Sequence, residues 1–324
     1  MGRGSSGLAT PSEVKVYVDP APHRSDFVTA SGVRLNYLDW SGSGPALILV
    51  HGLGASAHYF DDIAPALTDR FRVVAYSRRG HGRSDAKEPY DIDTLTEDLR
   101  CLMDDLGIDK AHLAGHSMGG SEITTMAVRY PERVDRIVYL DAAYDLSDRV
   151  GIDAVKSAPP AYMALPPASA TTSIDAYLAF IQALWLPKVR DTARFKAWIC
   201  DLVDVQPNGT VRGRMDSSVA KALWRTMFSD RRDYARIRSP ALAIYATSMP
   251  ELRAGDSARL AENLVWEHDY MTPFRAASIE RVRRELPNVE IMIVPGNHND
   301  FIFTSRKQVA TAMRRFLRGP IPKK

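Results

Sequence analysis

Cysteine is nearly absent: Cys101 and Cys200 are the only two in 324 residues, too few for a disulfide-built scaffold. Neither stands in a C-x-x-C pair and no histidine cluster has metal-ligand spacing, so no metal is expected. Apolar runs long enough to span a bilayer are also missing. The opening residues M-G-R-G-S-S-G-L-A-T-P-S-E lack the apolar stretch of a secretory signal. Residues 1–25 therefore read as a flexible N-terminal segment, and the expected location is the cytoplasm. Blocks of one charge are missing too: 42 Lys and Arg against 39 Asp and Glu leave a net charge of +3. The densest basic cluster, Arg231, Arg232 and Arg236, is interleaved with Asp230 and Asp233. It reads as a solvated helix face rather than a nucleic-acid surface. There is no internal repeat and no low-complexity segment.

What is present is an alternation of apolar runs with helix-like segments. Val14 to Val18 and Asp26 to Ala30 read as short strands, and Val33 to Trp40 as an edge strand. Ala46 to Val50 is continuously apolar, as a strand covered on both faces would be. Phe71 to Tyr76, the run from Ala111 and Val134 to Leu140 follow, separated by helices predicted at Tyr59–Leu67, Leu95–Leu106 and Glu122–Tyr130. This order predicts an α/β fold with a doubly wound, mostly parallel sheet. From Asp145 to Arg236 no strand is apparent, and helices are expected at Ile174–Trp185, Thr192–Val203 and Ser217–Phe228. The sheet pattern resumes with Ala241–Ala246 and Val289–Val294, a helix between them at Arg275–Glu285, and a closing helix at Arg306–Leu317. The expected division is residues 26–144 and 237–324 as one core, with 145–236 as a helical lid inserted between two strands.

Ala111 to Gly120, A-H-L-A-G-H-S-M-G-G, has the form of a buried strand, a sharp turn and a helix start with Ser117 at the tip. Gly115-His116-Ser117-Met118-Gly119 fits G-x-S-x-G, a pattern that needs this strand–turn–helix context. A serine hydroxyl is a poor nucleophile without a base in hydrogen-bond reach, and that base needs an orienting acid. Of eight histidines, His298 in P-G-N-H-N-D follows the last buried strand near the C-terminus. In a parallel sheet its loop shares an edge with Ser117. His51 and His81 follow strand ends within glycine-rich turns and read as backbone supports, as do Ser84 and Asp85. His23, His58, His112 and His268 default to structural readings, and His116 is given no catalytic role. Asn297 and Asn299 either hold the loop or meet substrate.

The order H-G-L-G at 51–54, R-G-H-G-R-S-D at 79–85, G-H-S-M-G-G at 115–120 and G-N-H at 296–298 resembles the α/β-hydrolase fold family, its lid-bearing serine esterase branch in particular. The resemblance runs from about Arg34 to Leu317. It implies an oxyanion hole from the backbone N–H groups of Leu53 and Met118. Relatives that open epoxides or remove halides carry an Asp nucleophile, so Ser117 argues against both activities. Many relatives place the acid after the strand that follows the lid, where this chain has Met249. The resemblance therefore leaves Asp141, at the end of the strand before the lid, as the favoured acid, with Asp256 and Glu251 as alternatives. The implied activity is cleavage of small carboxylic esters with an apolar part, through an acyl-enzyme and without a cofactor. Cleavage of another acyl bond (lactone, amide, or carbon–carbon beside a carbonyl) and a non-catalytic small-ligand receptor are the competing readings. The aromatic residues Tyr162, Tyr177, Trp185, Trp198 and Trp224 are candidates for an apolar pocket.

Overall fold

The computed structural model describes residues 22–159, 166–190, 192–249, 257–286 and 288–319. Its strands are β1 (Arg24–Ala30), β2 (Val33–Asp39), β3 (Ala46–Val50), β4 (Arg72–Tyr76), β5 (Ala111–His116), β6 (Val134–Leu140), β7 (Val203–Val205), β8 (Val211–Gly213), β9 (Ala241–Ser248) and β10 (Val289–Asn297). Eight form one sheet in the order β1-β2-β4-β3-β5-β6-β9-β10. From β4 to β10 all neighbours are parallel, while β1 and β2 pair antiparallel at one edge.

The continuous apolar runs follow from burial on both faces. Along β3, Leu47 and Leu49 enter one hydrophobic cluster, while Ile48 and Val50 enter the other. Along β4, Val73 and Ala75 face the first and Val74 and Tyr76 the second. Helices α1 (Ile92–Asp105) and α2 (Gly119–Arg129) cover the second cluster through Leu99, Leu102, Ile123 and Met126. The far end of the chain covers the first through Val309, Met313 and Phe316.

Between β6 and β9 lie α3 (Arg149–Lys156), α4 (Ile174–Trp185), α5 (Ala193–Asp201) and α6 (Ser217–Ser229). Each begins at a side chain that accepts from a first-turn backbone N–H: Asp148, Ser173, Thr192 and Asp216. After β9 come α7 (Ser257–Trp266), a π-helical turn at Glu267–Met271, and α8 (Thr272–Glu285). After β10 come α9 (Phe301–Thr304) and α10 (Arg306–Arg318).

Several expectations need correction. The segment between β6 and β9 contains strands, because β7 and β8 pair as a hairpin whose turn holds Gly209 at φ +84°. The helix expected over Tyr59–Leu67 is instead two 3₁₀ turns, Ala57–Phe60 and Ala64–Ala66. Pro65 has no N–H to extend an α-helix through that stretch. The cluster around Arg231 is solvated at Arg231, Asp233 and Arg236, but it follows the end of α6 rather than lying on an α-helix, and Arg232 is buried with its guanidinium 3.4 Å from Asp230. The strand expected from Asp26 starts at Arg24, inside the segment read as flexible. The strand expected at Val14–Val18 lies outside the described residues, as do Tyr162, Glu251 and Asp256.

Candidate active site

Parallel strands deliver their C-terminal ends to one edge, and the chain changes direction across the sheet at β3, whose neighbours are β4 and β5. A crevice opens at such a reversal point. His51 follows β3, Ser117 follows β5, Asp141 follows β6 and His298 follows β10. The serine turn is tight: Ser117 has φ +52°, and a Cβ on Gly119 would lie 2.3 Å from the Val50 carbonyl oxygen. Only glycine lets α2 start that close to β3. On the other side, a Cβ on Gly52 would lie 2.8 Å from Ser117 Cβ. The loop that carries Leu53 is thereby pressed against the serine. Among the described residues, neither the Leu53 nor the Met118 N–H donates to a carbonyl in these two loops.

The imidazole of His298 bridges the other two side chains. Its Nε2 lies 2.9 Å from Ser117 Oγ, and its Nδ1 lies 2.6 Å from Asp141 Oδ2. A carboxylate only accepts, so Nδ1 carries the proton and Nε2 is left to accept from the serine hydroxyl. The other carboxylate oxygen, Asp141 Oδ1, accepts from Tyr144 Oη at 2.8 Å and from the Ala246 N–H at 3.0 Å. Burial pushes the Asp141 carboxyl up, but hydrogen bonding and charge from His298, with the Tyr144 and Ala246 donors, outweigh it and hold it below its ordinary value. Asp141 itself has φ +47°, and its N–H donates to the Ile244 carbonyl on β9.

His116 stands behind this group. Its Nε2 is 2.9 Å from the His298 carbonyl oxygen, which can only accept, so Nε2 is the protonated nitrogen. Burial, then the nearby His298, pushes its pKa down to about 3 and keeps the ring neutral. Tyr59 stacks on it at 4.5 Å and donates through Oη to the Asn299 carbonyl. Asn297 holds the loop itself: its Oδ1 accepts from the N–H groups of Asn299 and Asp300. His51 supports backbone, with Nδ1 2.6 Å from the Gly52 carbonyl oxygen and Nε2 accepting from the Arg78 N–H. Ser84 and Asp85 tie the loop after β4 to β2, accepting from the N–H groups of Asn36 and Arg34.

An apolar cavity of about 110 Å³ opens on Ser117 and His298. Trp224 and Met227 line it from α6, and Trp266, Met271 and Phe274 line it from the run after β9. Of the described aromatic residues expected there, Trp224 lines it, whereas Tyr177, Trp185 and Trp198 pack with the core. Met249 also lines it, so the position where relatives carry an acid supplies apolar surface here. Sequence reasoning missed Tyr144, Trp266 and Phe274. The A-A-Y after Asp141 was the one visible signal for Tyr144.

The alpha/beta hydrolase fold family model matches residues 45–194. The uncharacterized protein Rv2715 of Mycobacterium tuberculosis is 34% identical over 125 residues, 38% of this chain and 36% of that protein. The putative carbamate hydrolase RutD of Caulobacter segnis is 35% identical over 117 residues, 35% of this chain and 44% of that protein. The chain thus spans well under two thirds of the length of these relatives. The crystal structure of E-2-(acetamidomethylene)succinate hydrolase superposes with a TM-score of 0.69 at 23% identity, over 92% of this chain and 100% of that one. With its six-strand parallel run, its serine turn between β5 and α2 and these matches, the chain has the α/β-hydrolase fold.

Proposed function

We propose that the protein is a serine hydrolase that cleaves carboxylic esters through an acyl-enzyme. One observation carries the reading: a single imidazole lies within hydrogen-bond distance of both the Ser117 hydroxyl and the buried Asp141 carboxylate. In this reading Ser117 Oγ attacks the ester carbonyl while His298 Nε2 takes its proton. Asp141 holds the ring and stabilises its positive charge. The Leu53 and Met118 N–H groups receive the tetrahedral oxyanion, each contributing about 3 kcal/mol by analogy with measured oxyanion donors. His298 then protonates the departing alcohol, water attacks the acyl-serine with His298 as base, and Ser117 is restored. No cofactor takes part. Residues 145–236 act as a lid over the core formed by 26–144 and 237–324. The apolar lining around Trp224, Trp266 and Phe274 supports an acyl or alcohol group of apolar character.

The second reading is hydrolysis of a carbonyl bonded to nitrogen, favoured by the similarity to a putative carbamate hydrolase. The two separate when kcat/KM is measured on an ester, a lactone, an amide and a carbamate with the same acyl group. Highest turnover on the ester, rising with an apolar acyl chain, is the expected result. Highest turnover on the carbamate would favour the second reading. Tight binding without turnover of any of them would favour a receptor.

A further inference from the structure

Away from Ser117, the fold brings His23 against a histidine and a carboxylate three residues apart in a distant turn. His23 directly precedes β1, His58 lies in the 3₁₀ turn Ala57–Phe60, and Asp61 closes that turn with its N–H on the His58 carbonyl. His58 Nδ1 stands 3.0 Å from Asp61 Oδ2, and His23 Nε2 stands 4.0 Å from Asp61 Oδ1. One ligand atom from each residue can be chosen so that all lie within 4.8 Å of one another. The His23 ring packs edge-on against both His58, at 5.4 Å between centroids, and Trp40, at 5.3 Å. His58 and Asp61 are buried.

We propose that His23, His58 and Asp61 bind a divalent transition-metal ion, with zinc as the best match. The two imidazoles are borderline ligands that suit zinc, and a single carboxylate beside them is too little oxygen for magnesium or calcium, which take oxygen shells. A tetrahedral zinc about 2.0–2.1 Å from nitrogen and oxygen ligands sets neighbouring ligand atoms roughly 3.3 Å apart. The 3.0 and 4.0 Å separations, one to each oxygen of the Asp61 carboxylate, lie on either side of that value, and the full set lies within 4.8 Å, close enough for small side-chain shifts to bring it onto one ion. Three protein ligands leave a fourth position for water. Spacing in the sequence could not reveal this set, because His23 comes from the edge of the sheet and the other two from the turn after β3. The metal clips the start of β1 to the turn that carries Tyr59, whose hydroxyl donates to the Asn299 carbonyl beside His298. The site stands independently of the acyl-transfer reading.

The test uses the full chain, stripped with a chelator and titrated with zinc chloride against a chromophoric zinc indicator. One saturable equivalent and a rise in Tm on zinc addition are expected. His298→Ala should bind the same equivalent, which separates this site from the serine site. His23→Ala and Asp61→Asn should each weaken binding by at least about tenfold, no less than changes in supporting residues around a metal cost. Both variants are checked for native circular dichroism, and His58→Gln replaces either one that does not fold. Absence of saturable binding in the unmodified chain overturns the proposal. So does unchanged binding in the folded His23 or Asp61 variants, or loss of the equivalent in His298→Ala alone.

Discussion

Ser117 and Asp141 both hold positive φ, at +52° and +47°, in a conformation that costs a non-glycine residue about 1 kcal/mol or more. Both strained residues touch His298, so the strain coincides with the group proposed to react. Ser117→Ala and His298→Ala should each remove nearly all of the proposed ester turnover, and the double variant should be little worse than either alone. Residues that act as a unit give strongly non-additive losses, so additive losses in kcat would show that His298 works elsewhere. Asp141→Asn keeps the shape and inverts one hydrogen bond, which in the serine-protease template costs about 10⁴ in turnover. That loss is expected here, measured as kcat with circular dichroism to check folding. Asp256→Asn and Glu251→Gln should each stay within about tenfold of the unmodified protein in the same assay, a barrier change of about 1.4 kcal/mol.

One element ties the serine turn to the loop that carries Leu53. Glu122 on α2 is fully buried and accepts from Arg78 Nε at 2.5 Å and from the Tyr76 hydroxyl. Arg78 in turn donates through Nη2 to the His51 carbonyl and through its backbone N–H to His51 Nε2. This buried chain of polar contacts thus joins His51, two residues before Leu53, to Glu122, four residues after Met118. Burial pushes the Glu122 carboxyl up and the Arg78 charge opposes it. Glu122→Gln leaves the Arg78 charge buried without its anion, and breaking such a pair costs about 3–5 kcal/mol. Urea unfolding should show that loss, together with a lower kcat on esters. A variant as stable and as active as the unmodified protein would show that the pair supports neither loop.

Legibility from sequence followed element length. The apolar runs of β3, β4 and β6 and the G-H-S-M-G turn were readable because a doubly covered strand and a strained turn restrict residue choice over several positions. The β7–β8 hairpin was not readable: each strand has three residues, and the Asn208-Gly209 turn signal was too local to outweigh the helical pattern around it. The continuous helical run from Ser257 to Glu285 was readable only in its last third, because its exposed face carries Leu264 and Val265 and blurs the amphipathic period. Tyr144 and Trp266 were invisible as pocket and support residues, since their roles depend on β6 and β9 lying side by side.

Over the whole molecule, four of the buried histidines, His51, His81, His112 and His116, face acid in the same direction. Burial pushes His81 and His116 down to about 3 and His112 to about 4, and holds His51 well below its ordinary value. Each binds its proton more weakly folded than unfolded, so the unfolded chain takes up more protons below about pH 6.5 and stability falls with pH. From pH 6.5 to 5, one such imidazole costs up to about 2 kcal/mol. The depressed Asp141 carboxyl works at lower pH: its contribution is full above the unfolded value near 3.9 and is lost as pH falls through its folded value. Denaturant unfolding at pH 7 and pH 5 should therefore show a clear loss at pH 5. Equal stability at both would mean that the four rings are not held neutral.

The most direct test of the central claim, that Ser117, His298 and Asp141 act as one nucleophilic unit, is labelling with a fluorophosphonate followed by peptide mapping. Phosphonylation needs the serine oxygen activated by its base and no turnover of product, so it reads the unit apart from any substrate preference. A single adduct on Ser117 is expected, forming orders of magnitude more slowly in His298→Ala and Asp141→Asn. An adduct on another residue, or labelling of Ser117 at an unchanged rate in both variants, would contradict it.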